Sequence, residues 1–373
     1  MNKNIYKSFL LASIIILNLV FNVGFVYGKE INKNIHVNAR SAIALDKETG
    51  VVLYEKNAYE VIPMASTTKI LTALVAINYG ELDKEFTISK RADKIHGSTI
   101  KYKEGEKVTL RELLYGLMFK SGNDAAIAIA EGISGSVEEF LKLMNEEALR
   151  LGATNTHFES PHGLDSDNHY TTAYDLALIT AAAKRNKVFD DIVKSKEITK
   201  EKHEFTRDYN NINKLLYSIP DCTGVKTGYT GKAGKCLVSS FDVNGREVIV
   251  VTLNCSARWQ ESKKIYEYVK GNFKEVTLKN KGDIVGEVKD KKGKVIPIYV
   301  NEDIKLPIKN GENFNCKLEI NEFNLKDTKV HKDSFIGELR VLKGDKEIYS
   351  YPVFNKDEIL NEKTFMEKLK SGF

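Results

Sequence analysis

The spacing of apolar residues divides this chain into stretches of different kinds. Two short apolar runs, Ala39 to Leu45 and Val51 to Glu55, flank Asp46-Lys47-Glu48-Thr49-Gly50, whose residues have turn chemistry, so a β-hairpin is predicted before Pro63. From Ser66 the period becomes helical. Ile70, Leu71, Leu74, Val75 and Ile77 recur at three- and four-residue spacings up to Gly80, which places Ser66 in the first turn of a mostly buried helix. Thr109-Leu110-Arg111-Glu112 reads as a capping box opening an apolar helix from Leu113 to Phe119, and Ser136-Val137-Glu138-Glu139 opens another with Phe140, Leu143, Met144 and Leu149. Between them Ser121-Gly122-Asn123 falls in a break before the Ala-rich run Asp124 to Glu131. Thr172-Ala173-Tyr174-Asp175 begins a further helix.

After Pro220 the pattern changes to strands. Gly224 to Thr230, Lys235 to Phe241 and the valine-rich Glu247 to Leu253, with an Asn244-Gly245 turn, predict an antiparallel meander, and Glu261 to Asn272 a closing helix. Beyond residue 274 the pattern is of short strands separated by turn signals: 276–278, 284–288, 295–300, 304–308, 316–320, 335–342 and 348–353. A mixed catalytic domain over 36–272, an all-β domain over 274–355 and a tail over 356–373 are therefore expected. From Ile359 to Phe373 the tail places Phe365, Leu369 and Phe373 on one helical side, a weak amphipathic pattern that would allow peripheral membrane contact.

The 373 residues leave room for two domains, and 42% hydrophobic with 29% charged residues exclude disorder and a polytopic membrane protein. A net charge of +5, with lysines spread along the chain, makes no case for nucleic acid. Residues 1–28 read as a signal peptide: Lys3 and Lys7, an apolar stretch from Phe9 to Val26, then Val26-Tyr27-Gly28 as a cleavage site. An uncleaved anchor is the competing reading, and either way the rest of the chain would face the outside of the membrane. Cys222, Cys236, Cys255 and Cys316 lack metal-site spacing; buried free thiols are expected, against one disulfide among the first three.

The chemistry lies in three strings, Ser66-Thr67-Thr68-Lys69, Ser121-Gly122-Asn123 and Lys226-Thr227-Gly228, whose joint occurrence in this order spells an acyl-transfer site. A serine hydroxyl needs a base within reach, and Lys69 lies one helical turn after Ser66 on the same side. Burial and a second cation, Lys226, would keep that lysine neutral part of the time. Ser121 would relay protons to the leaving amine and Asn123 would orient the network. Lys226 and Thr227 suit a substrate carboxylate, and Gly228 would let a substrate backbone lie against the strand. The backbone N–H groups of Ser66 and Tyr229 would hold the oxyanion. No cofactor or metal is implied: His157, His162 and His169 cluster near Asp165 and Asp167, but without metal-binding spacing.

These strings resemble the signature of penicillin-binding proteins and class A β-lactamases. Pro63-Met64-Ala65 before the serine, Gly163-Leu164-Asp165, and Asn168 through Ala177 make residues 36–272 similar to the serine-type D-alanyl-D-alanine carboxypeptidases, the low-molecular-mass penicillin-binding proteins. That resemblance implies an α+β fold of the penicilloyl-serine transferase, β-lactamase-like type, an antiparallel sheet flanked by helices, plus a small C-terminal all-β domain. It also implies removal of the last D-alanine from peptidoglycan stem peptides through a Ser66 acyl-enzyme, and acylation of Ser66 by β-lactam antibiotics. A β-lactamase would share all three strings. Glu159 is the one acidic residue in about the right region to activate water, and its Glu159-Ser160-Pro161-His162 context lacks the Asn partner that would help hold that water. A DD-endopeptidase and a penicillin-acylated wall sensor without turnover are the other readings.

Overall fold

The computed structural model describes residues 35–290, 292–321, 325 and 329–360. The expected signal peptide and most of the tail lie outside them. Among the described residues no helix is long and apolar enough to cross a membrane. Residues 35–274 with 307–310 form one compact unit, and 275–306 with 311–360 form the other.

The larger unit is built on a five-stranded antiparallel sheet. Its strands are β1 (Ser41–Asp46), β2 (Val52–Lys56), β3 (Cys222–Thr230), β4 (Gly234–Val243) and β5 (Arg246–Leu253), in spatial order β2-β1-β5-β4-β3. The N-terminal hairpin thus joins the late meander through β1 and β5, with Ile43 opposite Val251. At the end of that seam the Arg246 guanidinium makes two hydrogen bonds to the buried Asp46 carboxylate, 2.9 Å from Nε and 2.6 Å from Nη2. Residues 248–253 of β5 are buried without alternation, the mark of a strand covered on both faces. The placement of β3 at the sheet edge bears directly on the site.

Helix α1 (Lys69–Tyr79) is buried from Lys69 through Ala76, so it runs through the middle of the helical part, as an all-round apolar helix must. Around it pack α2 (Leu110–Phe119), α3 (Asn123–Ser134), α4 (Val137–Arg150) and α5 (Ala173–Arg185). Small side chains on α3, Ala125, Ala126, Ala128 and Ala130, are all buried and allow close approach of its neighbours. The Thr109, Ser136 and Thr172 side chains each accept a hydrogen bond from the backbone N–H three residues on, as N-caps do. The capping box at Thr109 is not reciprocal. Glu112 instead turns inward, where its carboxylate accepts from the Thr206 N–H, the Thr206 hydroxyl and the Tyr209 hydroxyl. Two further helices of the unit are α6 (Lys187–Lys194) and α7 (Arg258–Asn272), beside three short ones at Lys90–Lys94, Lys200–His203 and Leu215–Ser218. Helix α7 starts three residues earlier than its apolar pattern predicts.

The smaller unit is all-β among its described residues. Strands β6 (Ile284–Lys289), β7 (Val295–Tyr299), β8 (Asn315–Ile320), β9 (Phe335–Lys343) and β10 (Lys346–Asn355) form a sheet in the order β6-β7-β10-β9-β8. Ile359–Leu360, expected to begin a helical tail, pairs instead with Lys329–Val330 as a short strand, because Ile359 is buried there. The four cysteines are free thiols; Cys222, Cys236 and Cys255 are buried, whereas Cys316 is only half-buried.

Candidate active site

The three strings come from distant parts of the chain and are assembled by tertiary packing. Ala65–Thr68 is a single 3-10 turn leading into α1, so Ser66 precedes the α-helix proper instead of lying in its first turn. Ala65 holds φ at +52°, an uncommon value for alanine, which sets the bend that presents Ser66. Thr67 and Thr68 brace the turn by donating to the Met64 and Ala65 carbonyls, at 2.6 and 2.8 Å.

Lys69, the first residue of α1, is wholly buried. Its Nζ lies 3.0 Å from Ser66 Oγ, 2.8 Å from Asn123 Oδ1 and 2.6 Å from the His162 carbonyl oxygen. Burial holds its pKa well below the ordinary lysine value, and the positive charge of Lys226 adds to the effect against the opposing pull of Asp124. Asn123 opens α3 and spans the site: Oδ1 accepts from Lys69 while Nδ2 donates to the His96 carbonyl at 2.7 Å. Ser121, two residues earlier, is buried with φ at +63°. Beside it the Asp124 carboxylate gathers the N–H groups of Ile100, Lys101 and Tyr102, fastening that loop against the start of α3.

The third string lies on β3. Lys226 is 1% exposed, and its Nζ donates to the Thr227 carbonyl at 2.9 Å. Burial first, and Arg258 second, pull its pKa down to about 7. Gly228 passes so close to the serine turn that a Cβ there would stand 3.0 Å from the Ser66 nitrogen and 3.2 Å from the Met64 oxygen. Only glycine fits without displacing the turn, and the close passage brings the backbone of β3 beside that of Ser66. Tyr229 follows, 67% exposed as a residue.

Arg258 was not singled out in the sequence. From the first turn of α7 its Nη1 donates to the Gly228 carbonyl at 2.6 Å and the Cys236 carbonyl at 3.0 Å, bracing the β3–β4 ladder behind the site. Nothing in its local sequence marks it, since the Ala257 N-cap offers no side-chain acceptor to announce where the helix begins. The loop 157–170 is a second missed contributor. Two of its histidines bond within the loop, His157 Nδ1 to the Asn168 carbonyl and His162 Nδ1 from the Leu164 N–H, while His169 Nε2 reaches out to the Thr68 hydroxyl of the serine turn at 2.7 Å. Among the described residues no group of three or more His, Cys, Asp and Glu side chains is gathered to hold a metal. Glu159 bonds to an asparagine of its own loop. Asn168 donates to it from both backbone and side chain at 3.3 Å, which closes the loop on itself.

A family model described as D-alanyl-D-alanine carboxypeptidase matches residues 28–257, and one described as the penicillin-binding protein 5 C-terminal domain matches 273–360. The chain is 35% identical over 359 residues to D-alanyl-D-alanine carboxypeptidase DacF of Bacillus subtilis, covering 89% of this chain and 88% of that protein. It is 37% identical over 253 residues to the D-alanyl-D-alanine carboxypeptidase of Streptomyces sp. strain K15, covering 62% of this chain and 87% of that one. Penicillin-binding protein 5 from Haemophilus influenzae superposes with a TM-score of 0.76 at 26% identity, over 88% of this chain and 99% of the other. No feature of these comparisons favours a β-lactamase. The chain belongs to the serine-type D-alanyl-D-alanine carboxypeptidase family.

Proposed function

We propose that Ser66, Lys69, Ser121, Asn123, Lys226, Thr227, Gly228 and Tyr229 carry the family's reaction in this chain: hydrolysis of the terminal D-alanine from a peptidoglycan stem peptide through an acyl-enzyme on Ser66. One observation carries the reading, the set of oxygens around Lys69 Nζ. A neutral amine has two N–H bonds and one lone pair. The Asn123 and His162 carbonyls can only accept, so each takes an N–H, and the lone pair is left for the one partner able to donate, the Ser66 hydroxyl. The depressed basicity of Lys69 makes that neutral form accessible.

With the proton transferred to Lys69, Ser66 Oγ attacks the scissile carbonyl, and the Ser66 and Tyr229 N–H groups face the oxyanion that forms. Collapse of the tetrahedral species expels the D-alanine amine, which takes its proton from Lys69 by way of Ser121. Water then adds to the ester by the reverse arrangement and frees the shortened peptide. Lys226 and the Thr227 hydroxyl receive the substrate's terminal carboxylate, while Gly228 leaves space for the peptide to align along the edge strand β3. A β-lactam presents the same acyl group and carboxylate, so it acylates Ser66. Such a substrate also puts the site on the outer side of the cytoplasmic membrane, the location for which residues 1–28 would be the signal.

The test is release of D-alanine from a diacyl-D-alanyl-D-alanine peptide, together with labelling by a fluorescent penicillin. Ser66→Ala loses both signals. Labelling retained in that variant would mean the nucleophile is misassigned, and labelling of the wild type without D-alanine release would favour a sensor.

A further inference from the structure

The loop 157–170 grips both halves of the site. On the nucleophile side its backbone carbonyls take hydrogen bonds from Lys69 Nζ, to His162 at 2.6 Å, and from Thr72 Oγ1, to Pro161 at 2.7 Å. His169 meets Thr68 on the serine turn, and Gly163, with φ at +85°, sits where any Cβ would collide with the Ala65 carbonyl. On the other side Asp165 reaches the tip of the β3–β4 hairpin. Its Oδ1 accepts from the Thr230 hydroxyl at 2.6 Å and its Oδ2 from the Lys232 N–H at 3.1 Å. The Thr230 hydroxyl in turn accepts from the Ala233 N–H at 3.2 Å, so its rotor is held from both directions.

The end of β3 needs such an anchor. As an edge strand it has a ladder neighbour on one side only, β4, and Thr230 is the residue immediately after Tyr229. We infer that Asp165 is a positioning residue: by fastening Thr230 to the loop that also holds Lys69, it fixes the distance between the Ser66 and Tyr229 N–H groups and so the oxyanion pocket. This rests on the reading of Tyr229 N–H as an oxyanion donor. Chemically the link is a charge-assisted hydrogen bond between two segments that the serine turn and the sheet would otherwise place independently.

The experiment measures the rate constant of covalent labelling by fluorescent penicillin at saturation, its concentration dependence, and the thermal midpoint. It compares wild type, Thr230→Val, Thr230→Ser, Asp165→Ala and the Asp165→Ala/Thr230→Val double variant. Thr230→Val keeps the shape and loses the hydroxyl, so labelling slows about tenfold at saturation while half-saturation and melting change little. Thr230→Ser restores the hydroxyl and the rate. Asp165→Ala slows to a similar degree, and the double variant is no slower than the slower single one. Wild-type rates in Thr230→Val or Asp165→Ala, effects that multiply in the double variant, or Thr230→Ser as slow as Thr230→Val would each overturn the inference. Failure of the catalytic reading itself looks different, because the wild type would then take no label, or Ser66→Ala would keep it.

Discussion

Two lysines of this site are equally hidden from solvent and held in opposite ways. Lys69 is surrounded by oxygens from three separate segments, so every bonding direction of a neutral amine is assigned. Lys226 donates, among the described residues, to the carbonyl of its own neighbour Thr227 and keeps N–H bonds to spare. A buried ammonium without an anion is costly, and the fall of its pKa to about 7 is the sign of that cost. The contrast separates two tasks. In the proposed reaction Lys69 is the group arranged in advance for a proton, and Lys226 the one whose spare N–H bonds receive the substrate carboxylate.

The sharpest way to break the comparison is to remove the saturated side. Ser66→Ala leaves no covalent penicillin adduct by gel fluorescence. Lys69→Met keeps the hydroxyl and removes the base, so acylation falls about 10²- to 10⁴-fold in stopped-flow labelling, the usual worth of a positioned base. Next comes the close passage of β3: Gly228→Ala puts a methyl group 3.0 Å from the Ser66 nitrogen. Acylation then slows by about 10²-fold, as a displacement of about 1 Å between reacting groups does.

The pH profile sharpens the comparison at smaller amplitude. Rising pH increases kcat/KM as Lys69, held well below the ordinary lysine value, loses its proton, and lowers it as Lys226 loses its charge around pH 7 and above. Because a bound carboxylate favours the charged form of Lys226, the alkaline fall is weaker in kcat than in kcat/KM. Lys226→Arg, which stays protonated, moves that limb to higher pH.

The smallest effect is on stability. Burial holds the His162 imidazole down at about 3 and that of His169 at about 4, whereas in the unfolded chain both titrate near about 6.5. Between those values the unfolded state binds more protons, so the thermal midpoint falls as pH drops from about 6.5 and levels off below the folded values. An unchanged midpoint across that window would mean that these imidazoles are solvated.

Much of the fold could be read directly because local periodicity carries it. The Thr109, Ser136 and Thr172 caps, the β3 to β5 meander and the strands of the smaller unit all rest on spacings within a few residues. Where a residue's partner is remote, the reading failed. Glu112 has the right spacing for a reciprocal cap, yet bonds to Thr206 and Tyr209 some hundred residues on. The bond between Glu159 and Asn168, likewise, exists only because the loop folds back on itself. Arg258 escaped because a helix start without a cap residue leaves no local mark.

For this protein the sequence alone was enough to name the chemistry, since three strings of the right residue types occur together and in order, and the three-residue step from Ser66 to Lys69 puts both on one side of a helical turn. It was enough, too, to mark Asn123 and Lys226 as fit partners by residue type. Only tertiary structure decided how Lys69 is surrounded, how near Gly228 runs to Ser66, and which loop reaches across to Thr230. Those are distances between segments far apart in sequence, and they follow from the packing of the serine turn and the 157–170 loop against the edge strand β3, which no local pattern encodes.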